Sequence, residues 1–138
     1  MVTVGSVDEL RSVRVFMETW AALCNAHRFD EASTLVAENA EVNDRVVGPA
    51  GLVQPMRRLV TSFPDWRWSV NRMAAENELV ALHMSATGTH LGEFIGIRPT
   101  GRLVRVSEFA MYQVRDGRVA KVWTCLDVAA LKAQLTRI

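Results

Sequence analysis

Charge of one sign is not in excess here: 16 Lys and Arg face 15 Asp and Glu, a formal net charge of +1. Nucleic-acid binding leaves a basic footprint, and an anionic bilayer surface asks for a polybasic run. The sequence has neither, so no nucleic acid and no membrane is expected as a partner. No apolar stretch approaches the roughly 20 residues of a bilayer-spanning helix. Asp8 and Glu9 stand where a signal peptide would be cationic and then apolar, and the protein is expected to stay in the cytoplasm. Cysteine is scarce: Cys24 and Cys125 make neither a CxxC pair nor a disulfide framework, and read as small buried hydrophobes. His27, His83 and His90 show no HExxH-like spacing, so no metal site is expected. GxGxxG, Walker and GxSxG motifs are absent too, and no cofactor is expected.

What is present is a core. Apolar residues make up 49% of 138 and charged residues 22%, which fits one domain over residues 1–138. The chain divides into a helical first half and a strand-rich second half, the order of an α+β fold with helices on one side of an antiparallel sheet. Ser6-Val7-Asp8-Glu9 is a capping box, followed by Val13, Met17, Trp20 and Cys24 at helical spacing. A short second helix is expected over residues 30–37 with Asp30 as its N-cap, then a strand over 41–47. Pro49 opens a third helix to about residue 63, with Pro55 inside it. Strand period returns with Trp66, Trp68 and Val70, and strands are expected over 79–87, 103–114 and 119–126. The loop between 88 and 101 is rich in glycine, Arg115-Asp116-Gly117 is a hairpin turn, and Asp127 caps a last helix over 128–135.

Several of these segments carry a family pattern. Phe63-Pro64-Asp65-Trp66, then the run from Ala86 to Phe94 containing Gly88-Thr89-His90-Leu91-Gly92-Glu93, then Pro99-Thr100-Gly101-Arg102 stand in order. Tyr112-Gln113-Val114-Arg115-Asp116-Gly117 and Trp123 followed by Asp127 continue it. This series resembles the SnoaL-like polyketide cyclases of the nuclear transport factor 2-like class, whose relatives include ketosteroid isomerases and limonene epoxide hydrolases. The resemblance implies a cone: a curved antiparallel sheet wrapped around three N-terminal helices, with a short C-terminal helix and the active site inside. It also implies a small-molecule substrate and a homodimer formed through the outer sheet face.

Strand alternation sorts the polar residues by face. Glu108, Ala110 and Tyr112 share a face, which the resemblance puts inside the cone. An inward carboxylate is costly unless paired or used, which makes Glu108 a candidate catalytic residue. Ala81, His83, Ser85 and Thr87 share the polar face of the preceding strand, and His83 is read there as a pocket residue able to pass a proton near neutral pH. The segment ending in Asn43-Asp44 looks like the one that carries the general-base Asp of ketosteroid isomerases, so Asp44 is the third catalytic candidate. Trp20, Met56, Trp66, Trp68, His90, Tyr112 and Thr124 are read as substrate contacts, although core packing explains the tryptophans and Met56 as well, and His90 suits a loop brace.

The pattern breaks at two places. Aldol-cyclising members use an inward His and an inward Asp on the last two strands, and alignment by Asp116-Gly117 places Ala110 and Thr124 there. The expectation is cofactor-independent acid–base catalysis, a cyclisation or isomerisation, on an apolar polyketide-like intermediate. Asp44 takes a proton, and His83 and Glu108 return it or stabilise an oxyanion. The alternatives are an epoxide-opening enzyme using Asp44 with His83, and a non-catalytic small-molecule binding module.

Overall fold

The computed structural model describes residues 7–138. Ser6, the first residue of the expected capping box, lies outside the described residues. Helix α1 (Val7–Asn25) buries Val13, Met17, Trp20 and Cys24, the stripe that the spacing predicts. Helix α2 (Phe29–Ser33) is shorter than expected, and its N-cap is Arg28 with no side-chain cap. Asp30 pairs instead with Arg57 of helix α3 (Gly48–Ser62), so its carboxylate joins two helices. α3 runs through Pro55, which leaves the Gly51 carbonyl without its intrahelical donor.

Strand β1 (Val36–Val42) starts before residue 41, because Val36 and Ala40 point into the core and Val36 pairs with Val119. Asn43 and Asp44, both at positive φ, turn the chain into β2 (Arg45–Val46). The long strands are β3 (Arg67–Glu76), β4 (Leu79–Thr89), β5 (Leu103–Arg115) and β6 (Arg118–Leu126), and α4 (Val128–Thr136) closes the chain. Asp127 caps α4 by accepting a hydrogen bond from the Ala130 amide at 3.0 Å. At the β5–β6 hairpin Asp116 and Gly117 both take positive φ, the geometry of a two-residue turn that suits the sheet's twist.

The six strands form one curved, unclosed sheet in the order β2-β1-β6-β5-β4-β3. The sheet is mixed rather than wholly antiparallel: β1 runs parallel to β6, since no hairpin joins that pair and fixes opposite directions. Bulges at Asn71 in β3 and at Ala120 in β6, opposite Gln113 and Val114, sharpen the local twist. The β4–β5 register sets Leu82 against Ala110, Met84 against Glu108 and Ala86 against Val106, all on the concave face toward α1 and α3. Among the described residues no helix is long and apolar enough to cross a membrane.

Gly88 shows how tightly the wall behind this face is packed. A Cβ there would lie 2.7 Å from Trp66 Cε3 and 3.0 Å from Phe63 Cβ, and both neighbours are fully buried. Gly88→Ala should therefore lower unfolding stability by about 1–3 kcal/mol, the usual cost of overpacking a filled core. Denaturant titration checks this, and a neutral effect would mean that Phe63 and Trp66 yield.

Candidate functional site

The helices do not fill the concave face. They leave a cavity of about 590 Å³ walled by Met17, Trp20 and Cys24 of α1, Leu52, Met56 and Leu59 of α3, and Trp68, Leu82, Met84 and Val122 of the sheet. Trp20, Met17 and Cys24 are buried and form its closed end. Pro55, Arg58, Val70, Ile95 and Val128 are partly or well exposed and mark its mouth. Phe94 and Ile95 come from the 90–102 loop, which is fastened to the end of α3. The amides of Leu91 and Gly92 donate to the Ser62 carbonyl at 3.0 and 2.9 Å, and the Ser62 hydroxyl donates to the Glu93 carbonyl at 2.6 Å.

Two polar stations lie in this apolar interior, four residues apart on β5, which is roughly 13 Å along an extended strand. One is Glu108. Its Oε1 accepts from Trp68 Nε1 at 3.3 Å and its Oε2 from Thr124 Oγ1 at 3.4 Å. Both contacts are longer than well-formed bonds of their kind. Burial raises the Glu108 carboxyl above its ordinary 4.5, and the Trp68 and Thr124 bonds only partly oppose this. The other station is Tyr112 at the closed end. Its hydroxyl accepts from Trp20 Nε1 at 3.3 Å, and no acceptor for its own hydrogen occurs among the described residues. Burial holds the phenol well above its usual range, so Tyr112 is a neutral donor. Cys24 is pushed up to about 12 by burial and by the nearby Glu108 charge, which keeps it a thiol at neutral pH and a poor nucleophile.

Of the expected catalytic set, the cavity holds Glu108 alone. His83 lies on the convex face, where its ring stacks on its cross-strand neighbour Phe109 with centroids 4.7 Å apart. The polar side of β4 is the solvent side, and the apolar set of Leu82 and Met84 faces the cavity. Asp44 also sits outside: its positive φ places it at the exposed β1–β2 turn, where Oδ1 accepts from Trp123 Nε1 at 3.0 Å. Trp123 pairs with Met111 on the same outer face.

Among the expected substrate contacts, Trp20, Met56, Trp68, Tyr112 and Thr124 line the cavity. Trp66 and His90 do not. Trp66 is 1% exposed and wedged against Phe63 behind the wall. His90 is fully buried and braces the loop, its Nδ1 accepting from the Thr100 amide at 3.1 Å. Ala110 and Thr124 lie directly opposite each other across β5 and β6, the one-residue bulge near the hairpin having shifted the register that the turn begins.

Sequence reasoning passed over Arg58, Glu93, Phe94 and Ile95. Residues 55, 58, 59 and 62 recur at helical spacing and line the cavity, a signal present in the sequence but masked by Pro55. The loop residues carry no periodic signal. Among the described residues no three His, Cys, Asp or Glu side chains gather in a way that could hold a metal.

A family model for SnoaL-like polyketide cyclases matches residues 14–135. No curated protein matches the chain. Among solved structures, the candidate hydroxylase AclR of Streptomyces galilaeus superposes with a TM-score of 0.84 at 25% identity, over 94% of this chain and 83% of that one. The candidate polyketide cyclase IdmH of Streptomyces antibioticus gives 0.81 at 26% identity, over 89% and 97%. A SnoaL-like polyketide cyclase of Agrobacterium tumefaciens gives 0.78 at 24% identity, over 89% and 97%.

The geometry predicts that Glu108 costs stability when ionised. Its folded pKa lies above its unfolded one, so the folded state holds the proton more tightly. That advantage is complete below 4.5 and is lost as pH rises through the raised folded value. Glu108→Gln does not titrate. Its melting temperature should gain on the wild type as pH rises from 4 toward 8, and a pH-independent difference would contradict a desolvated carboxylate.

Proposed function

From the premise that this chain belongs to the SnoaL-like polyketide cyclase family, we propose that its cavity performs cofactor-independent acid–base chemistry on an apolar, carbonyl-bearing intermediate, with Glu108 as the proton-transfer group. The observation that carries this reading is one desolvated carboxylate in an apolar hollow, held by two long hydrogen bonds. Such a carboxylate has a raised proton affinity and a free lone pair for a substrate hydrogen. Glu108 takes a proton from the carbon beside a substrate carbonyl, and the electron pair moves onto the carbonyl oxygen as an enolate. The enolate carbon then attacks a second carbonyl and closes a ring, the electron pair of that carbonyl moving onto its oxygen, which takes the proton back from Glu108; or the proton returns at another carbon and the double bond migrates. Tyr112 donates its hydroxyl hydrogen to a substrate oxygen at the closed end and fixes the molecule lengthwise. Trp68 and Thr124 hold the carboxylate in line.

The epoxide-opening alternative loses its proposed pair, because Asp44 and His83 both lie outside the cavity. A binding-only role is favoured by one observation: Ala110 and Thr124 occupy the facing positions where the family resemblance places a His and an Asp. A test reaction separates the two readings. With 2-tetralone in deuterated water, the wild type should accelerate exchange at the carbon beside the carbonyl, followed by NMR. Glu108→Gln should cut that rate about 10²–10⁴-fold with an unchanged circular dichroism spectrum. The rate should also fall on acidification through a value above 4.5, because the base must be ionised. Binding without accelerated exchange, or full exchange in the variant, would leave only the binding role.

The homodimer is part of the proposal. Its support is the convex face, where Phe109 and Met111 are exposed beside Trp123 and the His83 ring. Light scattering on the eluted protein should give twice the 15.4 kDa chain mass, and Phe109→Glu should halve it. A single-chain mass for the wild type at tens of micromolar would remove the dimer.

A further inference from the structure

Arg58 lines the mouth of the cavity and is the cationic side chain that does so among the described residues. Its neighbour in sequence, Arg57, is engaged on the other side of α3, paired with Asp30 and set over the Phe29 ring at 5.7 Å. Arg58 has no ion pair or hydrogen-bond partner of its side chain among the described residues. An acidic residue, Glu93, lines the same mouth but does not meet it. The Glu93 carboxylate turns back on its own loop and accepts from the Gly96 amide, while its carbonyl is held by Ser62. The guanidinium is thus left with its planar fork of donors beside the opening of a largely apolar hollow, with no protein carboxylate paired to it among the described residues.

We propose that Arg58 binds a carboxylate on the substrate, so that the cavity selects an elongated apolar molecule ending in a free acid over its neutral ester. The inference rests on the reading of the cavity as a substrate site and names the substrate class. The apolar body lies between α1, α3 and the sheet, and its far oxygen meets Tyr112. Its acid end stays at the mouth, where Arg58 takes it in a two-pronged hydrogen-bonded pair.

A binding measurement tests this without requiring turnover. Anthraquinone-2-carboxylate and its methyl ester share one apolar body and differ in charge at one end. Calorimetry with the wild type should show the carboxylate bound about three- to ten-fold more tightly, since a hydrogen-bonded charge pair is weakened by exposure at a rim. The preference should shrink with added salt. Arg58→Gln should abolish it while leaving the ester's affinity unchanged, and Arg58→Lys should keep part of it. Equal affinities in the wild type, a preference that survives Arg58→Gln, or no binding of the carboxylate would each overturn the assignment. Glu108→Gln should retain the preference. Loss of the Glu108 chemistry with carboxylate selection intact, and loss of selection with the chemistry intact, are therefore separate results.

Discussion

The removal of one carboxylate from water is the constraint on which this site depends. Glu108 is half-buried, and the curve of the sheet with the helices laid across it strips away much of its hydration. The β4–β5 register places it opposite Met84, and α1 lays Cys24 and Trp20 over the same face. Two long donors are a poor substitute for a hydration shell, so the group retains a pull on protons that an exposed glutamate lacks. The same dryness raises Cys24 and Tyr112, and its chemical effect is opposite in the two cases. It silences a thiol, and it keeps a phenol protonated as a hydrogen-bond donor. One physical condition thus assigns three roles.

The architecture supports that condition at some distance from the carboxylate. Phe63, Trp66 and Gly88 form a tightly packed wall, and the loop that starts at His90 is strapped to Ser62 at the end of α3. These contacts keep Phe94 and Ile95 over the cavity. Asp30 meeting Arg57 ties α2 to α3 on the side away from the cavity, which leaves the next arginine free for the mouth.

How much of this could be read from sequence follows from which registers were encoded locally. The β5–β6 hairpin has a two-residue turn, so Asp116-Gly117 fixes the pairing of Arg115 with Arg118 and of Val114 with Val119, but an extra residue at Ala120 then shifts the register so that Ala110 meets Thr124 rather than Trp123. The β4–β5 connection is a long loop, and no turn rule sets its register. The faces of β4 had to be judged from polarity, and polarity misled: the face with His83 and Ser85 is polar because water wets it, and the face with Leu82 and Met84 is apolar because the cavity is. Only the register that the structure supplies, Met84 opposite Glu108, carries Met84 inward and His83 outward. Asp44 failed for a different reason. A consecutive Asn-Asp pair is as good a turn as it is a site, and both residues took positive φ. The stripe of α1 was legible and the ends of the long strands came within a few residues, because periodicity is a property of the elements themselves. The early start of β1 was not, because its parallel partner β6 lies far away in sequence.

The missing family charges and the presence of Glu108 are linked. Thr124 stands where the resemblance places an Asp, and its hydroxyl oxygen is 3.4 Å from Glu108 Oε2. A carboxylate at 124 would confront Glu108 across that gap, and two negative charges so close in a dry cavity cannot both remain ionised. One would be protonated, or the pair would share a proton. A hydroxyl at 124 removes that conflict and supplies a donor instead. Ala110, opposite Thr124, adds no competing base and leaves space beside the carboxylate. The neutral pair at 110 and 124 is therefore the arrangement under which a single glutamate two residues along β5 can hold the cavity's negative charge. The absence of the usual pair is not by itself an argument that proton chemistry has left this fold. It shifts the question to whether the cavity brings an acidic carbon to Glu108.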